Sequence, residues 1–218
     1  MATAKKTAAL EIPALQIKTV DLHIVGDSPF ICHAWSEKAK LMMLSKQQKK
    51  ATSAKEVRRP AVEFADSLYW LTEKPNLDNV SDEDAQAILN EVIPKSKFGY
   101  PSLAFKSAAI YGAFQQKALD KKTTARGAIH IVGEFAEING TPTLREDMAR
   151  IGMGTADLRF RAEFKSWSTV LHIKYNSGAL SLEQVVNLFS IGGFSNGVGD
   201  WRPAKDGTFG TFHIESAS

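Results

Sequence analysis

The sequence predicts an α+β fold in which an antiparallel sheet carries helices on one face. Strand and helix patterns alternate along the chain, but the helices are too few to cover both faces of a parallel sheet. A helix rich in small residues follows Pro101, and the chain closes with a strand at 169–175, a helix at 182–191 and a strand at 209–214. That closing unit is the second half of a ferredoxin-like βαββαβ fold, here with insertions.

The first part of the chain predicts a strand, a helix and a charged arm. Apolar residues alternate over 15–24, as in a half-buried strand. A helix begins at Ser36, and Glu37 lies in its first turn, where a carboxylate is favourable. The following stretch, 46–60, contains six cations and almost no apolar residues, so it cannot bury a face. We expect it to be a mobile basic arm.

Two further segments precede the central helix. The aromatic-rich stretch 61–71 is predicted to be extended. The polar stretch 72–98 is predicted to be an insertion that contains one short helix, because Ser81 and Asp84 form a capping-box pattern.

The second part of the chain predicts most of the sheet. A helix covers 103–119, and its small-residue face is suited to pack tightly on a sheet, while 121–126 is predicted to be a basic loop. Ser181 caps the last helix. Strands are predicted at 128–138, 143–150, 158–165, 169–175 and 209–214.

Composition limits the class of protein. The chain has 218 residues, 44% of them hydrophobic, which is ample for one large domain; we predict a flexible tail at 1–13 and a single α+β domain at 14–218. A formal charge of +3 is only mildly basic. Its one cysteine, Cys32, excludes an internal disulfide, and no membrane span is evident, so we expect a cytoplasmic protein.

A glycine-rich loop follows the last helix. We assign Gly192, Gly193, Gly197 and Gly199 to it, because glycine permits positive φ and close backbone approach. The loop joins a helix to a strand, whereas the common phosphate-binding loops follow a strand and open a helix. The sequence therefore predicts a contact loop rather than a nucleotide-cofactor site, and no cofactor is expected.

Two motifs resemble the RAMP superfamily, the RNA-recognition-motif-like backbone subunits of CRISPR effector complexes. The helix start at 100–109 (YPSLAFKSAA) is similar to the proline, serine and lysine helix start of that superfamily. The segments 197–202 (GVGDWR) and 208–210 (TFG) are similar to its glycine-rich signature loop. The resemblance implies an RNA-recognition-motif-like sheet that binds single-stranded nucleic acid and oligomerises along it.

The chain also resembles a family of phage proteins with no assigned activity. The shared motifs are PFI at 29–31, HAWSEKA at 33–39 and GVGDWRP at 197–203. This resemblance implies a phage or mobile-element origin and a host-cytoplasmic location.

The residues lead to the same function as the RAMP resemblance does. Single-strand binders place cations along phosphates and aromatic faces against bases. Trp201 and Arg202 on the glycine loop supply one such combination, although Trp201 is alternatively a core residue and Arg202 a helix cap or a partner of Asp200. The cations alternatively form ordinary solvated faces. The candidate basic residues are Lys46, Lys49, Lys50, Lys55, Arg58, Arg59, Lys106, Lys121, Lys122, Arg126, Arg159, Arg161 and Arg202.

Catalytic signals are few. The five histidines lack metal-ligand spacing, so no metal site is predicted and the protein is expected not to be an enzyme. One candidate is His33, which follows the first strand; RAMP-like RNA-processing enzymes use a histidine as general base on the ribose 2′-OH. Two alternatives therefore stay open beside single-strand binding. One is a metal-independent ribonuclease that uses His33, and the other is a structural or inhibitory phage protein that binds no nucleic acid.

Overall fold

Alternating apolar residues and helix caps organise the chain into antiparallel strands and short helices. The computed structural model describes residues 14–35, 37–48, 57–151 and 155–218. The strands are β1 (Ile17–Gly26), β2 (Phe30–Cys32), β3 (Tyr69–Trp70), β4 (Phe98–Pro101), β5 (Ile129–Ile131), β6 (Phe135–Ile138), β7 (Pro142–Ile151), β8 (Thr155–Phe164), β9 (Ser168–Asn176) and β10 (Phe212–Ala217). The helices are α1 (Glu37–Gln47), α2 (Pro60–Asp66), α3 (Asp82–Val92), α4 (Ser102–Gln115), α5 (Lys122–Ala128) and α6 (Leu182–Ser195).

The central sheet has the strand order β10-β1-β9-β5, and each neighbouring pair is antiparallel. Followed along the chain, the elements β1, α4, β5, β9, α6 and β10 form a βαββαβ unit with the ferredoxin-like strand order 4-1-3-2. The predicted α+β fold, with an antiparallel sheet and helices on one face, is therefore confirmed.

Strand alternation explains why one sheet face is covered. In β1, Val20, Leu22 and Ile24 are buried while the residues between them are partly exposed, and β9 repeats this pattern with Leu171 and Ile173. Successive side chains in a strand point to opposite faces, so one face of the sheet forms the core with α4 and α6. The other face of β1 and β9 is the more exposed one.

Helices α4 and α6 approach each other through glycine and alanine. A Cβ placed on Gly192 would lie 2.5 Å from the Cα and N atoms of Ala109, and one on Gly112 would lie 2.7 Å from Ser195 Oγ. The predicted small-residue face of the central helix therefore packs on α6, whereas we expected it to pack on the sheet. Helix α6 extends through Ser195, so Gly192 and Gly193 are helical, and their assignment to the glycine loop was wrong.

Two insertions build the remainder of the structure. Residues 27–101 separate β1 from α4, and residues 132–167 separate β5 from β9. Their strands form two small sheets, with orders β2-β8-β7 and β3-β4-β6. An isolated bridge between Asn139 and Ser168 connects the second of these to β9.

The predicted capped helix at Ser81 is confirmed, because Ser81 Oγ accepts a hydrogen bond from the Asp84 backbone N–H at the start of α3. The extended assignment of 61–71 was wrong for its first half, which is helix α2. Pro60 lies in the first turn of α2, where proline's fixed φ suits a helix.

Two assignments in the middle of the chain also differ. The stretch 121–126, predicted as a basic loop, lies mostly in α5. The strand predicted at 128–138 is divided into β5 and β6, and Gly133 between them has a φ of +88°, which favours glycine.

The whole of the predicted tail, 1–13, residues 49–56 of the predicted arm and Ser36, the predicted helix start, lie outside the described residues. Within the described ranges, the helices are too short or too polar to cross a bilayer.

Candidate nucleic-acid interface

Four of the predicted basic residues come together on one surface, which we name the α4–α5 surface. It consists of Lys106, Tyr111 and Phe114 from α4 together with Lys121, Lys122 and Arg126 from the start and body of α5. Tyr111 and Phe114 are three residues apart and therefore lie on one side of α4, as Lys122 and Arg126 do on α5. Short connecting chain between the helices brings the two sides together.

The cations of the α4–α5 surface lie directly over its rings. Lys122 Nζ is 4.0 Å from the ring centroid of Tyr111 and 4.4 Å from that of Phe114. Arg126 donates a hydrogen bond from Nη2 to the Tyr111 hydroxyl at 3.0 Å. The two rings remain 40% and 39% exposed. Cation–π attraction therefore holds positive charge beside open aromatic surface.

Lys106 connects the two helices of this surface. Its Nζ donates to the backbone carbonyl of Arg126 at 2.9 Å, and partial burial lowers the pKa of its amine. Lys121 immediately precedes α5 and is exposed. Sequence reasoning selected these cations but missed Tyr111 and Phe114. Their three-residue spacing on the side of α4 away from its small residues is the signal that would have found them.

The basic arm is described only at its ends. Lys49, Lys50 and Lys55 lie outside the described residues, and Lys46 is described only as part of the backbone of α1.

The last two arginines of the arm make contacts inside the fold. Arg58 Nη1 donates to Glu63 at 2.7 Å, and its Nη2 pairs with Asp157 on β8. Arg59 Nη2 donates to the backbone carbonyls of Leu77 and Val80. Both arginines thus have intramolecular partners that a phosphate would have to displace.

The glycine loop packs against β2. Gly197, Gly199 and Gly210 have φ values of +62°, +80° and +66°, and a Cβ on Gly199 would lie 2.6 Å from the carbonyl oxygen of Ile31. The Asp200 backbone N–H donates to that same carbonyl at 3.0 Å. Glycine is therefore required here both by backbone conformation and by contact.

Trp201 and Arg202 lie at the outer end of this loop. Trp201 is 43% exposed and has a φ of +53°, a conformation uncommon for residues other than glycine. Arg202 Nη1 donates to the backbone carbonyl of Gly199 at 2.8 Å, so it caps the loop rather than a helix, and its positive charge also contributes to lowering the pKa of Asp200. The exposed ring is thus available to a ligand, while the neighbouring guanidinium stabilises the loop.

Asp200 joins the glycine loop to two other elements. Its Oδ2 lies 3.1 Å from His33 Nδ1, just after β2, and 3.4 Å from Arg161 Nε on β8. Partial burial alone would raise the pKa of Asp200, but the hydrogen bond from His33 and the positive charge of Arg161 lower it. The carboxylate is therefore ionised and can only accept hydrogen bonds.

Arg161 is the most buried cation of this cluster, with a side chain only 4% exposed. Its Nη1 lies 3.6 Å from Asp147, and among the described residues its Nε and Nη1 have no hydrogen bond of good geometry. Burial lowers the pKa of its guanidinium. Arg159 lies on the same face of β8, as strand alternation predicts, and is 3.6 Å from Asp157.

Carboxylates neutralise the positive charge of the arginines on this face of the β7–β8 hairpin. Arg145 on β7 donates to Asp147 and Glu163, and its guanidinium lies 4.7 Å from the ring of Phe209. The face therefore has less free positive charge than the α4–α5 surface. In the described ranges, no cluster of three or more histidine, cysteine, aspartate or glutamate side chains has a metal-binding arrangement.

No family model and no curated protein matches the chain. Among solved structures, it is similar to the crystal structure of Cmr6 from Pyrococcus furiosus, with 12% sequence identity and a TM-score of 0.35. The match covers 92% of this chain and 100% of that chain. Functional assignment therefore depends on the contacts described above.

Proposed function

We propose that this protein binds single-stranded nucleic acid through the α4–α5 surface. One observation carries the proposal: two partly exposed rings from α4 lie beside cations from α4 and α5. Bases stack on aromatic faces and phosphates pair with lysine and arginine, so one surface provides both kinds of contact. The geometry suits unpaired bases in particular, because duplex stacking leaves base faces inaccessible.

When a strand binds, Lys122 exchanges its contact with the rings for a contact with a phosphate. Lys122 now lies over the faces of Tyr111 and Phe114. An incoming base replaces the ammonium group on a ring, and the flexible lysine side chain then reaches a neighbouring phosphate. Rings and cations are thus retained as contacts after the ligand arrives.

Alanine substitution of one ring tests this surface. Phe114→Ala is expected to weaken binding of a single-stranded oligonucleotide by about 1–3 kcal/mol, with little dependence on base identity. Fluorescence anisotropy at fixed salt measures this affinity. Leu103→Ala is the matched control, since Leu103 is exposed on the same helix and lies about 16 Å along its axis from Phe114. Equal affinities of these two variants would contradict the proposal.

A charge substitution tests the second kind of contact. Lys122→Gln is expected to reduce the slope of log affinity against log salt by about 0.7, the value for one phosphate contact on a single strand. An unchanged slope would remove Lys122 from the interface.

Oligomerisation along the strand and a phage origin remain predictions from the sequence resemblances. Sedimentation with and without oligonucleotide measures the oligomerisation.

A second function is favoured by the contact between His33 and Asp200. Because the ionised carboxylate can only accept, His33 donates from Nδ1, which leaves a lone pair on Nε2 of the neutral ring. His33 is half exposed, as a general base needs to be. Nε2 would take the proton of a ribose 2′-OH, O2′ would attack the adjacent phosphorus to form the cyclic phosphate, and the 5′-oxygen would leave and take a proton from a water molecule.

Chelator-treated protein and an RNA oligonucleotide test this ribonuclease activity. The expected product is a 2′,3′-cyclic phosphate, and His33→Ala is expected to slow cleavage by about 10²-fold or more. The deoxy oligonucleotide is the control, because it lacks the attacking hydroxyl. Intact RNA after incubation with the wild-type protein would exclude this second function while leaving the binding proposal in place.

A further inference from the structure

Four of the five histidines lie on one face of the central sheet, one on each strand. They are His213 on β10, His23 on β1, His172 on β9 and His130 on β5. This face is the one opposite the buried residues of β1 and β9, so it is the face not covered by α4 and α6.

The strand register aligns these four residues in a diagonal, which we name the histidine row. Each step along the row moves one strand across the sheet and two residues along it. In antiparallel sheets such diagonal neighbours are about 7–8 Å apart. The pairs that set the register are Val25 with His213, His23 with Val170, Asp21 with His172 and Lys174 with His130.

The histidine row is accessible. The side chain of His172 is 60% exposed and that of His213 is 53% exposed. The adjacent strand residues Leu22 and Leu171, which point the other way, are fully buried. The imidazoles thus form a line of rings across an open β-sheet.

Carboxylates orient two of the imidazoles. His172 Nδ1 lies 2.8 Å from Asp21 Oδ1, and His213 Nδ1 lies 2.6 Å from Asp27 Oδ1. Each contact occupies Nδ1 and leaves Nε2 for a ligand, whereas Nε2 of His23 lies 3.5 Å from Ser218 Oγ.

The remaining charged groups around the row are few. Lys174 lies directly opposite His130. Glu137 lines the same cavity as His172 and is paired with Lys97 at 3.0 Å. Glu215 lies where the register between β10 and β1 shifts. These groups, with Asp21 and Asp27, determine the charge of the face.

Protonation of the row reverses the sign of that charge. With neutral imidazoles, the four carboxylates outnumber the two lysines, and the face repels phosphate. With charged imidazoles, the cations outnumber the carboxylates. Histidine ordinarily changes charge around pH 6.5.

We propose that the histidine row is a second, acid-dependent phosphate-binding surface for single-stranded nucleic acid. The ligand class rests on the proposed function, whereas the surface is separate from the α4–α5 surface. Charge complementarity with the protonated row attracts the phosphates, and the Nε2–H groups of His172 and His213 donate to phosphate oxygens. The planar imidazoles also provide faces on which bases stack.

Binding of oligothymidylate at two pH values tests this site, because thymine does not titrate in the range used. Anisotropy titrations at several salt concentrations are carried out at about pH 5.5 and about pH 8, on either side of the ordinary histidine pKa. At the lower pH the slope of log affinity against log salt is expected to be steeper by about 0.7 for each engaged imidazole.

The variant that replaces His23, His130, His172 and His213 by glutamine is expected to lose this difference and to bind like wild type at about pH 8. Thr19→Gln is the matched control, because it places a glutamine at an exposed position of β1 without removing a histidine, and it is expected to keep the difference. Circular dichroism at both pH values establishes that each variant is folded. If the fourfold variant does not fold, His23→Gln and His172→Gln singly are each expected to lose about 0.7 of slope.

The outcomes separate this proposal from the proposed function. A pH effect that persists in the folded row variants overturns the histidine row. Binding at both pH values without an acid-induced increase also overturns it, while the α4–α5 surface stands. Binding only at acid pH, lost in the row variants, supports the row and contradicts the α4–α5 surface. Absence of binding at both pH values overturns both proposals.

Discussion

Substitution of Gly192 by alanine tests the close contact that places α4 and its exposed rings. The added Cβ would lie 2.5 Å from two backbone atoms of Ala109 and 2.6 Å from the carbonyl carbon of Ala108. Carbon atoms normally approach to about 3.5–4.0 Å, so the helices would have to separate by about 1 Å.

Two effects of opposite sign determine the magnitude. Overpacking costs about 1–3 kcal/mol, and we take the upper end because the opposing atoms are backbone and cannot rotate away. Replacing a helical glycine by alanine contributes about 1 kcal/mol of helix stability in return. The expected net loss is about 2 kcal/mol, a Tm decrease of about 4–8 °C for a chain of this size.

Gly127→Ala is the matched control for this measurement. Gly127 is also helical, in α5, but a Cβ there would meet nothing within 4 Å. This variant is expected to be stabilised by about 0.5–1 kcal/mol. Urea unfolding of both variants gives the two free energies. A Gly192→Ala protein as stable as the Gly127→Ala protein would refute the reasoning.

Three other predictions follow from the glycine loop and β2. Trp201→Ala is expected to weaken single-strand binding by about 1–3 kcal/mol. It is expected to lower the free energy of unfolding by less than the roughly 3–5 kcal/mol that is lost when a buried tryptophan is replaced by alanine. A variant that melts early but binds normally would show that the loop has a purely structural role. Asp200→Asn is expected to lower stability at neutral pH, because the folded state depresses the pKa of Asp200. The difference in the free energy of unfolding between this variant and wild type should shrink as the pH falls below about 4, the ordinary aspartate pKa. Urea unfolding at several pH values measures this difference, and a constant difference would contradict the prediction. Burial raises the pKa of the Cys32 thiol to about 12, so a thiol reagent should label it only as the protein unfolds, and immediate labelling of native protein would contradict its burial.

The local patterns that predicted correctly are those determined by neighbouring residues. The Ser81 cap, the Ser181 cap and the strand alternation in β9 were predicted correctly because each depends on residues a few positions apart. Pro60 is a helix-start signal, but the aromatic residues that follow it favoured an extended interpretation. In 121–126, lysines and threonines suggested a loop, but buried Ala125 and Ala128 stabilise α5 through packing.

The candidate-site residues likewise divide into those that local sequence identified and those that only the folded structure brings together. Sequence alone identified the cations of the α4–α5 surface, because residue type carries that information, whereas the family resemblance and its position after the first strand singled out His33. It did not predict that Tyr111 and Phe114 lie beneath Lys122, or that His33 and Arg161 share Asp200.

Sequence by itself determined the fold class, the order of the closing elements and the need for glycine at 197 and 199. Backbone conformation and apolar periodicity are local properties, so they are already present in the chain. Tertiary structure alone decided that α4 packs on α6 and that four histidines far apart in sequence form one row. Strand register and helix contact depend on residues distant in sequence, and only the folded chain brings these together.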